Sequence, residues 1–361
     1  MIYRLVLENF KHRPVRTFLS AIAIGIQVTM ILTLAGVSNG YLEGMAQRAR
    51  GTGADIVVRP PDSAIIGFSS NMREGIVNLI RGMTHVAIAT GTFVQPMGNL
   101  DYITGINLAE FTAMSGGFQY LEGGPFASPD DMLIDDVYAR QHRLRVGSQV
   151  ELGHKWRVCG IVESGKLSRT FVQIGVLQGL FAGRGMITNV YVKADDPNNT
   201  QAIIGALRQK LPTYTIYSMD DLASLYSVNN VPMLKEFIGI VIGIAVIVGL
   251  LVVLLTMYTA VLERTREIGI LKALGASPRY VVGILMREAV LLAIAGTIAG
   301  ILMTYGTRAL MHAFAPGMTQ DIVPGWWPYA ALIALFGSLV GALYPGLKAA
   351  RQDAIEALSY E

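Results

Sequence analysis

The chain has one cysteine among 361 residues, Cys159, so it can form no internal disulfide and no thiolate metal cage. Cys159 reads as a small core residue. Charged side chains are also scarce, at 15% of the chain against roughly 25% in an ordinary soluble domain. The net charge of +3 is too small to suggest a nucleic-acid partner. The five histidines, at 12, 85, 142, 154 and 312, show no paired metal-ligand spacing. A phosphate-loop pattern at 160–167 fails at its last position, where Leu167 replaces the hydroxyl residue that would hold magnesium. Asp130/Asp131, Asp135/Asp136, Asp195/Asp196 and Asp220/Asp221 read as helix caps and turns rather than acid–base pairs. No catalytic residue is expected, and no nucleotide site.

Long uncharged runs are what the chain does have. Residues 17–42, 237–262 and 322–347 each run 26 residues without a charge, and 289–307 runs 19. About 20 apolar residues carry a helix across the hydrocarbon of a bilayer, and a continuous helix satisfies its own backbone there. A further uncharged run, 82–100, holds Thr84, His85, Gln95, Pro96 and Asn99 and reads as strand and turn. The expected fold is therefore a membrane α-helical bundle of four transmembrane helices, with a mixed α/β domain inserted between helices 1 and 2. The expected layout is an amphipathic helix at 1–16, spans at 17–42, 237–262, 289–307 and 326–347, an outer domain at 43–236, links at 263–288 and 308–325, and a tail at 348–361. The first span is too long for a signal-peptide core and reads as a retained anchor.

Basic residues set the orientation. Arg4, Lys11, Arg13 and Arg16 precede the first span, and Arg264, Arg266, Lys272, Arg279 and Arg287 lie in the 263–288 link. Lys348 and Arg351 follow the last span, whereas the 308–325 link holds only Arg308. Both termini and the 263–288 link are thus expected in the cytoplasm. The 43–236 domain, with 17 basic and 18 acidic residues, is expected outside. Each span carries two small residues four apart: Ala21/Gly25, Gly239/Gly243, Gly296/Gly300 and Gly337/Gly341. Such pairs suit close helix packing.

Within the outer domain, strands are expected at 54–59, 149–153, 156–163, 189–194 and 213–217, and an amphipathic helix at 198–211. The stretch 62–125 gives no firm pattern. At the N-terminus, Tyr3, Val6, Leu7 and Phe10 fall on one helical face, opposite Arg4, Glu8 and Lys11. Pro14 is expected to end that helix.

The link contains Glu-Arg-Thr-Arg-Glu-Ile-Gly-Ile-Leu-Lys-Ala-Leu-Gly-Ala at 263–276, which is expected to continue the second span without a break. Its apolar and charged residues alternate as in a half-buried helix, Gly275 offers a left-handed stop, and Ser277-Pro278 starts the next helix. This segment resembles the coupling segment of the MacB/FtsX-like permeases, membrane subunits of ABC transporters. The tail, Tyr-Pro-Gly-Leu-Lys-Ala-Ala-Arg at 344–351 with Ile-Glu-Ala-Leu at 355–358, is similar to that family's C-terminal motif. Ala354 departs from it, standing where the family usually has proline.

The resemblance implies a permease that pairs with a second copy, identical or not, and docks a separate ATPase. ATP and Mg would bind in that ATPase, and this chain would hold no cofactor. Glu263, Arg264, Arg266, Glu267, Ile268, Gly269, Leu271, Lys272, Leu274 and Gly275 would make the coupling surface. Lys348, Ala349, Arg351, Ile355 and Glu356 would make a second contact. The implied setting is a bacterial inner membrane, with lipid, a periplasmic adaptor or the substrate as further partners. The implied function is export or extraction of an amphiphilic substrate; the alternative is mechanical control of an outer partner such as a cell-wall hydrolase. Haem is a lower-ranked substrate, for which Met30, Met233 and Glu236 could supply thioether and carboxylate ligands.

Overall fold

The computed structural model describes residues 14–61, 63, 70–97, 102–181, 183–315 and 317–351. The expected amphipathic helix at 1–16 lies outside them apart from its last three residues, which belong to helix α1, and residues 352–361 lie outside them too. The chain divides into two units, a helical one and a mixed one.

The helical unit takes in α1 (Pro14–Arg50) up to residue 39, α8 (Pro232–Glu263), α9 (Thr265–Ala273), α10 (Pro278–Phe314) and α11 (Trp327–Arg351). Four of these, α1, α8, α10 and α11, are long and apolar enough to cross a membrane. Lipid explains their outer faces: Ile240, Ile244, Ile247, Leu251 and Leu255 of α8 are all more than half exposed, where water would penalise them. The inner seam is built from small residues. A Cβ on Gly300 of α10 would lie 2.6 Å from Val28 Cβ of α1, and one on Gly296 equally close to Ile24, so only glycine permits this crossing. Thr29 Oγ1, 2.7 Å from Gly25 O and 3.0 Å from Gly300 O, ties the two backbones together. Gly341 seats α11 against Leu250 and Val253 of α8 in the same way. The Gly239/Gly243 pair does not join this packing: a Cβ at either position would meet nothing within 4 Å among the described residues.

The mixed unit comprises Gly40–Pro232 together with Ala315–Thr319. In chain order its elements are β1 (Ile56–Arg59), β2 (Met72–Arg73), α2 (Gly75–Arg81), β3 (Val86–Pro96), β4 (Tyr102–Ile106), α3 (Leu108–Ser115), β5 (Tyr120–Gly123), β6 (Asp131–Asp135) and α4 (Asp136–His142). They continue with β7 (Gln149–Glu151), β8 (Lys155–Val162), β9 (Thr170–Gln173), α5 (Ile174–Phe181), β10 (Met186–Ile187), β11 (Asn189–Ala194), α6 (Thr200–Lys210), β12 (Thr215–Ser218) and α7 (Met219–Leu225). Ten strands form one sheet in the order β12-β1-β11-β3-β4-β9-β6-β8-β5, with β7 alongside β8. The long strand β3 joins its halves, pairing with β11 through residues 86–92 and with β4 through 93–96. Ile203, Ile204 and Leu207 of α6 close the core over one half, while Tyr138 and Ala139 of α4 join Trp156 and Val158 in the other.

The first helix does not stop where its uncharged run ends at 42. Its last turns belong to the mixed unit, where Ala49 packs with Ala54, Val57, Met114 and Tyr191. Gly51 lies so close to the Gly165 carbonyl that no Cβ would fit. Leu167 N–H, on a residue with φ 48°, donates to Arg48 O at 2.8 Å.

Asp135 caps α4 by accepting from Tyr138 N–H at 2.6 Å. It is also buried, and desolvation raises its carboxyl to about 6 in spite of Arg169 and Arg48 nearby. Its folded pKa lies above the ordinary carboxylate value, so its contribution to stability is complete below pH ~4 and is lost as the pH rises through ~6. Asp135→Asn keeps the cap without the charge. Thermal unfolding of the detergent-solubilised variant should show a gain over wild type of about 2–3 kcal/mol at pH 7.5 that vanishes near pH 4. A pH-independent difference would contradict this.

Candidate functional site

Helix α8 ends at Glu263, and Arg264, with φ −113° and ψ 16°, leaves helical geometry before α9 begins. The expected continuous helix is therefore broken into an elbow. The break is stabilised locally: Thr265 Oγ1 lies 2.8 Å from Leu262 O and 3.2 Å from Val261 O, carbonyls freed where the helix ends. At the other end Gly275 adopts φ 91°, and Ala276 N–H donates to Leu271 O at 3.0 Å, closing α9 with a left-handed stop. Ser277 Oγ then accepts from Tyr280 N–H and starts α10.

The elbow has two faces. Inward, Ile268 packs with Val261, Val281, Leu285 and Ala349, so α9 is seated on α8, α10 and α11 at once. Arg264, 11% exposed, meets Glu288, 5% exposed, at 3.5 Å. Lys272 Nζ donates to Ala350 O at 2.9 Å, and Lys348 Nζ donates to Tyr258 Oη at 2.9 Å. Outward, Arg266, Glu267, Ile270 and Leu274 share the exposed face, with Leu274 81% exposed. An apolar pair flanked by two charges has the composition of an apolar interface centre with a polar rim.

The residues singled out in the sequence thus separate by role. Arg266, Glu267, Leu274 and Gly275 are on the surface; Leu271 is partly covered; Ile268, Gly269 and Ala349 are buried. Arg264 and Lys272 bind within the chain. Arg351 is exposed, and Ile355 and Glu356 lie outside the described residues. Sequence reasoning missed Glu288 and Tyr258. For Glu288 a signal existed: a carboxylate at the edge of a 19-residue uncharged run has to find a partner.

Among the described residues no hydrogen bond or ion pair joins the remaining candidates. Met30 is 40% exposed on α1, Glu236 is exposed on α8, and the side chain of Met233 lies outside those described. In the phosphate-loop-like stretch, Lys166 Nζ donates to Ser115 O at 2.8 Å and also to Gly117 O, which ties it to the end of α3. Cys159 is half-buried, with burial pushing its thiol up to about 11. His85 pairs with Asp195 and His154 with Asp130, as separate surface dyads. Among the described residues no group of three or more His, Cys, Asp or Glu could hold a metal.

Comparison with known proteins agrees with this architecture. The model of the MacB-like periplasmic core domain matches residues 17–210, over half of the chain, and that of the FtsX-like permease C-terminal region matches 239–354. The chain belongs to the MacB/FtsX-like family of ABC transporter permeases. It is 24% identical to the uncharacterized ABC transporter permease YknZ of Bacillus subtilis (strain 168), with 99% of this chain and 98% of that one covered. Against the macrolide export ATP-binding/permease protein MacB of Escherichia coli the identity is 23%, covering 99% of this chain and 60% of that protein's length. The crystal structure of the periplasmic region of MacB from Actinobacillus actinomycetemcomitans covers 47% of this chain and 92% of that one, at 16% identity and TM-score 0.36. The protein is a multi-pass membrane permease.

Removing one partner of a buried ion pair strands the other charge. Arg264→Met should therefore destabilise the detergent-solubilised protein by about 3 kcal/mol, and Arg264→Met with Glu288→Leu by clearly less than the two single losses combined. Strict additivity in that double-mutant cycle would mean that the two groups form no clamp.

Proposed function

We propose that the outward face of α9 is the docking surface for a separate ATPase subunit, and that the permease converts that subunit's ATP hydrolysis into movement of its outer domain. ATP and Mg bind in the partner. The observation that carries this reading is the combination at the elbow: Ile270 and Leu274 stand exposed beside Arg266 and Glu267 on a helix clamped from within by Arg264–Glu288 and Lys272–Ala350. A clamped helix passes a push to α8 and α10; a loose one would absorb it. The basic residues beside the spans support a cytoplasmic position for this face and for both termini. Lys348, held by Tyr258, and Arg351, with Ile355 and Glu356 of the tail, are the residues to which the family resemblance gives a second contact with that ATPase.

The complex holds two permease copies, and the driven outer domains export or extract an amphiphilic substrate at the membrane surface.

Charge reversal tests the docking face directly. Arg266→Glu or Glu267→Lys should lower substrate-stimulated ATPase turnover of the reconstituted complex at least ten-fold, with expression and unfolding temperature unchanged. Leu274→Asp should also release the ATPase during co-purification. Unchanged turnover in both charge variants would dismiss the docking role. Activation of an outer cell-wall hydrolase, without substrate stimulation of ATPase turnover, would reassign the protein to mechanical regulation.

A further inference from the structure

Within the mixed unit, one face of the sheet carries a charge with no counterpart. Strand β1 alternates: Ile56 and Val58 enter the core under α6, while Val57 packs on the opposite face with Met219 and Leu222 of α7. Arg59 shares the face of Val57, because side chains two apart on a strand point the same way. It is only 8% exposed, and among the described residues its guanidinium makes no hydrogen bond and no ion pair. A charge taken out of water ordinarily finds a partner, since desolvation otherwise goes uncompensated. The group is not sealed in. Among the described residues, the side-chain nitrogens and oxygens that lack both solvent and a partner are those of Gln27, Thr92 and Ser338. The guanidinium of Arg59 and the hydroxyl of Tyr191, also 8% exposed, therefore still reach the surface.

The strand register surrounds Arg59 with tyrosines. Val57 lies opposite Tyr191 on β11 and Tyr217 on β12, and both pairings are antiparallel. Arg59, two residues further on, is the diagonal neighbour of both tyrosines, a separation that a long side chain spans. Tyr226, the residue after α7, packs into the same cluster with Val57, Tyr191 and Tyr217. Burial holds the hydroxyls of Tyr191 and Tyr226 above the usual phenol pKa, while Arg59 pulls both the other way. Arg48 acts on Tyr226 in the same sense as Arg59. One fixed cation and two protonated phenols thus gather at a single opening. Every one of these residues lies within Gly40–Pro232.

We infer that Arg59, Tyr191 and Tyr226 form an oxyanion site in the mixed unit, built to take a phosphate group. The guanidinium offers two parallel N–H groups to two oxygens, and the phenols donate to the others. Arg59 and Tyr191 rise from the sheet and Tyr226 comes from the end of α7, so the donors do not share a plane. That arrangement suits a tetrahedral phosphate better than a flat carboxylate. The site involves neither the ATPase docking face nor the membrane spans, so its failure would leave the docking proposal standing, and the reverse.

The test is a phosphorus NMR titration of the full chain in dodecyl maltoside at constant ionic strength, with inorganic phosphate or glycerol phosphate as probe. Wild type should broaden the probe line saturably, and acetate should compete at least about ten-fold less well than phosphate. Arg59→Lys should weaken binding about ten-fold, and Tyr191→Phe and Tyr226→Phe about five-fold each. Arg59→Met should abolish binding and, by removing an unpaired buried charge, raise the unfolding temperature in phosphate-free buffer. Tighter binding of glycerol phosphate would place the phosphate on a larger molecule; tighter binding of inorganic phosphate would identify the free anion. No saturable broadening with either probe would overturn the inference, as would broadening that survives Arg59→Met. Equal competition by acetate would overturn the choice of phosphate, and a lower unfolding temperature for Arg59→Met would make Arg59 a structural residue instead.

Discussion

Hydrocarbon is about 30 Å thick, and helix α1, with 37 residues, is about 55 Å long. That mismatch governs how the molecule is built. Inside lipid the backbone has no alternative to helical hydrogen bonding, so the part of α1 that crosses must be continuous. The remainder projects and has to find cover, which it does through Ala46 and Ala49 among buried side chains of the mixed unit. One unbroken helix therefore belongs to both units. Helix α8, with 32 residues, is also longer than the hydrocarbon is thick, but it ends in the elbow at Arg264.

The two helices differ in how they are held. Close contact through Gly25, Gly296 and Gly300 locks α1 onto α10, and dispersion between backbones at that distance substitutes for the hydrophobic effect that lipid removes. Helix α8 instead turns much of its surface outward, including Gly239 and Gly243. Midway along, Ala245, Val253 and Met257 join the bundle core, and at the far end Val261 and Ile268 pack with α10 and α11 and the Arg264–Glu288 pair is withdrawn from solvent. Leaving Ile270 and Leu274 uncovered there forgoes about 1.5–3 kcal/mol for each side chain that burial would provide.

The four spans were legible because a helix that runs 19 to 26 residues without a charge is suited to hydrocarbon and poorly suited to water. Strand β11, helix α6 and the Asp135 cap followed from alternation, amphipathicity and capping chemistry, all of which are local. The stretch 62–125 was legible only at 82–100, read as strand and turn, where β3 lies; its other described elements are short, and α2 has no side-chain cap. Small-residue pairs announced close packing but not its partner, so Gly239/Gly243 could not be told apart from Gly296/Gly300. At the elbow, the motif indicated a helix and its left-handed stop. The break at Arg264 was hidden, because a charged residue in a basic link looks solvated, and only the fold shows that Glu288 lies beside it.

Photo-crosslinking from the elbow addresses the central claim, with a benzophenone amino acid placed at Leu274 or, as a control, at Leu302, which is exposed to a similar degree on α10. Co-expressed with its ATPase and irradiated in membranes, the Leu274 variant should yield an adduct containing the ATPase, and the Leu302 variant should not. An adduct from Leu302 alone, or none from Leu274 in a complex that still hydrolyses ATP in response to substrate, would contradict entry of force through this helix.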